Sequence, residues 1–168
     1  MAITLQLARV STEMLEDCRR DISALDKLTS FAAVPRDHHL DLDWARAGLK
    51  ILARLSGQAL NAQSALYISM EGVRVINLDS PLSAIAGVWL YEIAPNEVKL
   101  IYDGLAHISI QNLLAALPDD EIDWNILFGS SELPKEFRHD YFNKHISALL
   151  EFYQKASTQS QAVVVWED

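Results

Sequence analysis

Residues 2–10 alternate Ile3, Leu5 and Leu7 with Thr4, Gln6 and then Arg9, the period of two expected of a strand with one buried face. At the other end, Ala162-Val163-Val164-Val165-Trp166 is a β-branched run that predicts a closing strand. Between them the spacing turns helical. Ser11 or Thr12 suits an N-cap, Glu13, Glu16 and Asp17 suit the positive end of a helix dipole, and Leu15, Cys18, Ile22 and Leu25 form one stripe, so a first helix is expected over residues 12–29. A connection with Pro35, Arg36, Asp37, His38 and His39 follows. The second helix is expected over residues 43–56: Asp41 or Asp43 caps it, Trp44, Gly48, Ile51, Leu52 and Leu55 share a face, and Gly57 ends it.

Three short apolar segments come next, Ala65 to Met70, Val73 to Leu78 and Val88 to Ile93, and strand and short-helix readings compete for them. The two flanking Glu71-Gly72 are spaced for a hairpin, and Pro81 to Ala86 for a helical turn. Pro95 with Val98, Ile101, Tyr102, Leu105 and Ile108 predicts a third helix over residues 95–107, and Ser109 restarts a short one through Leu117. Asp119-Asp120-Glu121 and Asp123 then form an acidic loop before Trp124. After Pro134 a long helix turns Phe142, Ile146, Leu149, Leu150 and Tyr153 inward as far as about Thr158.

Strands at both ends, helices between them and no fixed repeat favour a sheet covered by helices over a bundle. The expected fold is therefore α/β or α+β: one domain over residues 1–168, with a small mixed sheet that contains the N- and C-terminal strands and is covered by four to five helices. A length of 168 residues suits a single core.

Charge narrows the partners. Fourteen Lys and Arg against 23 Asp and Glu give a net charge of −9 and a pI near 4.9, which repels a polyanion and argues against direct nucleic-acid binding. A basic protein partner fits instead. The single cysteine, Cys18, excludes an internal disulfide framework and suits the reducing cytoplasm. The N-terminus lacks the pattern of a secretion signal, and no run approaches the roughly 18 apolar residues of a membrane span.

Catalytic chemistry finds little support. His139 and His145 are six residues apart, so on a helix they point about 120° away from each other. No helical two-histidine zinc pattern occurs, and the six glycines, at positions 48, 57, 72, 87, 104 and 129, are too scattered to cradle a phosphate. Neither a metal nor a cofactor is expected. Cys18 lies on an apolar stripe, where a thiol behaves as a small hydrophobe, and Gly129-Ser130-Ser131-Glu132 lacks the second glycine of a nucleophile elbow and reads as a turn. Arg46, Lys50 and Arg54, at four-residue steps, form a basic ridge on the second helix, read first as a solvated face. The Asp119, Asp120, Glu121 and Asp123 cluster with Trp124 has the anatomy of a partner-binding edge, the acids steering a basic partner and the tryptophan supplying contact area; a solvated loop over a core tryptophan is the competing reading.

The order of segments resembles the bacterial YfbM-like family, whose members have no assigned activity. The resemblance is carried by Leu40-Asp41-Leu42-Asp43 leading to Trp44 and ending in Leu55-Ser56-Gly57, by Pro81 through Gly87, by Ile93-Ala94-Pro95 through Leu105, and by Tyr141-Phe142 through Phe152-Tyr153-Gln154-Lys155-Ala156. The chain departs from the family where Asp43 abuts Trp44 directly and where Leu127-Phe128-Gly129 replaces a Tyr-Pro pair. The resemblance implies an α/β or α+β fold with a small sheet, and it brings no catalytic residues. Two functions remain: a non-catalytic binding module, most specifically an immunity-type inhibitor of a basic bacterial toxin such as a nuclease, or an enzyme or small-ligand binder with a dispersed site such as His38, His39, Asp41 and Trp44 beside a pocket.

Overall fold

The structure is a computed structural model that describes residues 4–76, 89–129 and 133–168. Its strands are β1 (Leu5–Val10), β2 (His39–Asp41), β3 (Arg74–Val75), β4 (Tyr91–Ile93) and β5 (Ala162–Glu167). Its helices are α1 (Thr12–Arg20), α2 (Ile22–Thr29), α3 (Ala45–Leu55), α4 (Leu60–Glu71), α5 (Pro95–Leu105), α6 (Ile110–Ala115), α7 (Glu121–Phe128) and α8 (Lys135–Thr158). A 3-10 turn at Arg36–His38 leads into β2.

The two terminal strands sit side by side at the centre of a sheet of order β2-β1-β5-β4-β3. Every pairing among the described residues is antiparallel, so the expected mixed sheet is corrected to an antiparallel one. Central β1 pairs with β5 from Leu5 opposite Glu167 to Val10 opposite Ala162.

Helices cover both faces, which explains why all six residues of β1 are buried although their alternation suggested one buried face. Leu5, Leu7, Val163, Val165 and Ile93 pack on the large core with Leu49 and Leu52 of α3, Leu66 of α4, Val98 of α5, and Phe142, Ile146 and Leu149 of α8. On the opposite face Ala8, Val10, Val164 and Trp166 pack under Leu15 and Cys18 of α1 and Leu25 and Leu28 of α2. The result is three layers, α1–α2, sheet, and α3–α8.

Local chemistry sets the differences from the expected elements. The helix expected over residues 12–29 breaks at Asp21, whose extended backbone ends α1 and whose Oδ1 accepts from the Ser23 amide at 2.8 Å to cap α2. An aspartate side chain that accepts from the backbone amide two residues on competes well against helix continuation. The Ala65–Met70 segment belongs to α4, built from good helix formers, with Ala62, Ala65, Leu66, Ser69 and Met70 buried at steps of three and four. Gly72 therefore ends a helix instead of turning a hairpin. The acidic stretch expected as a loop contributes α7, and eight helices rather than four to five are present among the described residues. Gly57 ends its helix with φ of 64°, as expected. The proposed turns at Pro81–Ala86 and at Ser130-Ser131 fall outside the described residues.

Candidate functional site

The acidic segment folds because Asp120 caps α7. Its Oδ1 accepts from the Ile122 amide at 2.7 Å and the Asp123 amide at 3.3 Å, while Glu121 and Asp123 sit at the positive end of the helix. Gly129, with φ of 73°, closes it, donating its amide to the Asn125 carbonyl. Lys135 of α8 donates to the Asp119 carbonyl, and Arg138 of α8 pairs with Glu121 at 2.8 Å. Two cations thus offset part of four carboxylates. Asp119 and Asp123 are exposed, and among the described residues neither carboxylate forms an ion pair.

Trp124 is not a contact residue on the surface. It is fully buried, stacked on Phe128 with ring centroids 4.3 Å apart and covered by the Arg138 guanidinium at 3.8 Å. The core-tryptophan reading of this residue is the correct one. What faces solvent instead is Ile122 and Ile126, 69% and 75% exposed. The geometry of a helix requires this split: Trp124 lies two residues from each isoleucine, about 200° around the axis, and residues four apart share a side. An eight-residue helix with apolar pairs at 124/128 and 122/126 has two apolar sides, and only one of them fits the core. That doubled spacing was the available sequence signal for the isoleucines. The outer side of α7 is therefore an apolar step with carboxylates at its N-terminal end.

The dispersed ligand-site residues separate into two places. His39 and Asp41 line a cavity of about 490 Å³ with Gln6, Phe31 and Arg36. Trp44 lies apart, stacked on Tyr141 at 4.6 Å and lining a second cavity of about 440 Å³ with Asp43, Arg46, Lys50 and Glu167. Asp43 has a left-handed backbone, φ 51°, and accepts from the Tyr141 hydroxyl at 3.3 Å. His145 is buried 4.5 Å from the Tyr141 ring, and burial lowers its pKa against the pull of Asp43 and Asp41. His38 lines neither of these two cavities.

The basic ridge of α3 is engaged within the chain. Arg46 pairs with Glu71 and Glu167, and Lys50 pairs with Glu71, tying α3 to α4 and β5. Burial, then the neighbouring Arg46 charge, lowers Lys50 to a pKa of about 8, with Glu167 acting in the opposite sense. Cys18 is buried and its thiol is pushed up to about 11, first by burial and then by Asp17, so it is an inert part of the core. Among the described residues no group of three His, Cys, Asp or Glu side chains is placed to hold a metal ion.

One network escaped the sequence entirely. Glu92 of β4, 3% exposed, accepts from Arg19 of α1 at 2.8 and 2.5 Å and from Arg74 of β3 at 3.1 Å. Arg74 also makes a bidentate pair with Glu97 of α5, both distances 2.8 Å. These four residues are separated by up to 78 positions and carry no local motif.

The fold and this surface define a single-domain α+β protein with an antiparallel sheet between helical layers. The sequence matches the family described as "Domain of unknown function (DUF1877)" over residues 1–166, and the chain belongs to that family. The fold is similar to that of YfbM from Escherichia coli, a protein of unknown function, with a TM-score of 0.62 and 14% sequence identity over 98% of this chain and 99% of that one. The YfbM-like resemblance is thereby borne out. No curated protein matches. No helix among the described residues is long and apolar enough to cross a membrane.

Proposed function

We propose that the chain is a non-catalytic protein-binding module of the immunity type, which neutralises a basic bacterial toxin, such as a nuclease, in the cytoplasm by direct contact through the outer side of α7. The observation that carries this reading is the pair Ile122 and Ile126, four residues apart and largely exposed, beside Asp119 and Asp123 on an acidic chain. Apolar residues at the centre of a contact supply desolvated area, and carboxylates at its edge accelerate encounter with a cationic partner. The helix is held in one place by Trp124 and Arg138, so little ordering opposes association.

The test immobilises the wild-type chain, the I122D/I126D double variant and an L100D control, Leu100 being 69% exposed on α5. Each is exposed at low salt to extract of the organism that encodes it. The expected result is a basic protein retained by wild type and control, lost with the double variant and released as salt rises. Once purified, that protein should lose its toxic activity in a one-to-one complex. Retention unaffected by I122D/I126D, or a captured protein whose activity survives the complex, contradicts the proposal.

A further inference from the structure

The cavity of about 490 Å³ on the α1–α2 side of the sheet has a construction unrelated to α7. It lies where β2 forms the sheet edge. The register places Gln6 opposite Asp41 and Ala8 opposite His39, and residues two apart on a strand share a face, so His39 and Asp41 point to the same side. Phe31, following α2, and Arg36, in the 3-10 turn, complete the lining.

One of its groups, His39, lacks the partners that a folded interior ordinarily supplies, and two more, Arg36 and Asp41, are exposed to solvent. Arg36 and Asp41 carry opposite charges in one cavity, yet among the described residues they form no ion pair with each other or with any other side chain. Asp41 Oδ1 accepts from the Asp43 amide at 2.6 Å, which fixes the orientation of the carboxylate. Both ring nitrogens of His39 are shut off from solvent without a hydrogen bond; the Val34 carbonyl, which favours the protonated ring, falls short of bonding geometry. Over His39 lies Phe31, edge-on at 4.9 Å and 45% exposed, with a left-handed backbone of φ 61° that is rare for a bulky residue.

We propose that this cavity binds a small zwitterion with an aromatic side chain, the class of the free aromatic amino acids. Arg36 receives the carboxylate in a fork of donors, Asp41 receives the ammonium, and the aromatic ring lies against Phe31 and His39. Two opposite charges held apart in one cavity match the two ends of such a molecule, and a volume of about 490 Å³ lies in the range of small-molecule sites. This site is independent of the proposed partner surface.

The test is calorimetric titration of the whole chain with L-phenylalanine, L-tyrosine and L-tryptophan, and with two probes that each remove one charge, N-acetyl-L-phenylalanine and phenethylamine. Saturable one-to-one binding of at least one amino acid is expected. Both single-charge probes, and the variants R36Q and D41N, should bind about fivefold or more weakly, the equivalent of one solvent-touched ion pair. Arg36 and Asp41 are exposed, and asparagine retains the acceptor for the Asp43 amide, so both variants should remain folded. D103N, at an exposed position on α5, should bind like wild type. Absence of saturable binding by all three amino acids overturns the proposal, as does binding that survives both R36Q and D41N or is equally strong for phenethylamine.

Discussion

The Arg138 guanidinium lies 3.8 Å from the centre of the Trp124 ring, and it also pairs with Glu121 at 2.8 Å and donates to the Leu133 carbonyl at 3.3 Å. One side chain of α8 therefore fixes the first turn of α7 and its buried face together. Arg138 is itself only 6% exposed, so its truncation removes a desolvated cation–π contact and leaves a void beside Trp124. Arg138→Ala should destabilise the chain by about 2–3 kcal/mol in urea unfolding. Glu121→Gln, whose side chain is 57% exposed, should cost less than about 1 kcal/mol.

Glu92 is a buried carboxylate between Arg19 and Arg74. Burial alone would raise its pKa, but the hydrogen bonds and charges of the two arginines outweigh it, and the pKa lies below the ordinary 4.5. A lowered carboxylate stabilises the fold above its unfolded pKa and loses that contribution as pH falls through the folded one. Glu92→Gln should therefore lower stability at pH 7 by about 2 kcal/mol, less than a fully buried pair because Arg19 and Arg74 still reach water. The difference between Glu92→Gln and wild type should shrink below pH 4.5, measured by urea unfolding across pH.

His145 and His39 give a second pH window. Burial is the leading cause that lowers both below 6.5, so the unfolded chain binds protons there that the folded chain resists. Stability should fall as pH drops through and below 6.5, well before the carboxylates titrate. His145→Gln should flatten that dependence, seen as a smaller change in the urea midpoint between pH 7.5 and pH 5.5, roughly one pH unit on either side of the ordinary histidine value.

Gly72 has φ of 74° and ψ of −180°, a region that side chains avoid, and a Cβ there would lie 2.3 Å from Tyr91 Cβ. At Gly57, φ is 64° and the space for a Cβ is open. Gly72→Ala should cost about 3 kcal/mol or more, against about 1 kcal/mol for Gly57→Ala, as read from thermal or urea unfolding of the two variants.

Much of the frame was legible because its signals are local. Alternation at Leu5–Leu7 and the β-branched run at Val163–Val165 marked both central strands, and Pro95, Ser109 and Pro134 each marked a helix start. The strand direction was hidden because pairing between residues some 160 positions apart leaves no trace in either segment. The break at Asp21 was missed because an apolar stripe continues through it, although the chain leaves the helix there to form a cap. In the candidate site, the acids are adjacent in sequence, so their clustering is visible without any long-range pairing. Trp124 was open to two readings, contact residue or core, since aromatic character alone does not say which of two apolar stripes meets the core. Gln6, Phe31 and Arg36 were beyond reach, as only the β1–β2 register and the chain reversal after α2 bring them to one cavity.

Hydrogen exchange of the chain, alone and in complex with the basic protein it captures, reads directly whether α7 is the contact. Slowed exchange is expected, concentrated in the amides of residues 119–128, with that protection weakening as salt rises and absent in I122D/I126D. Protection confined to other elements, with α7 exchanging as fast in the complex as in the free chain, contradicts it.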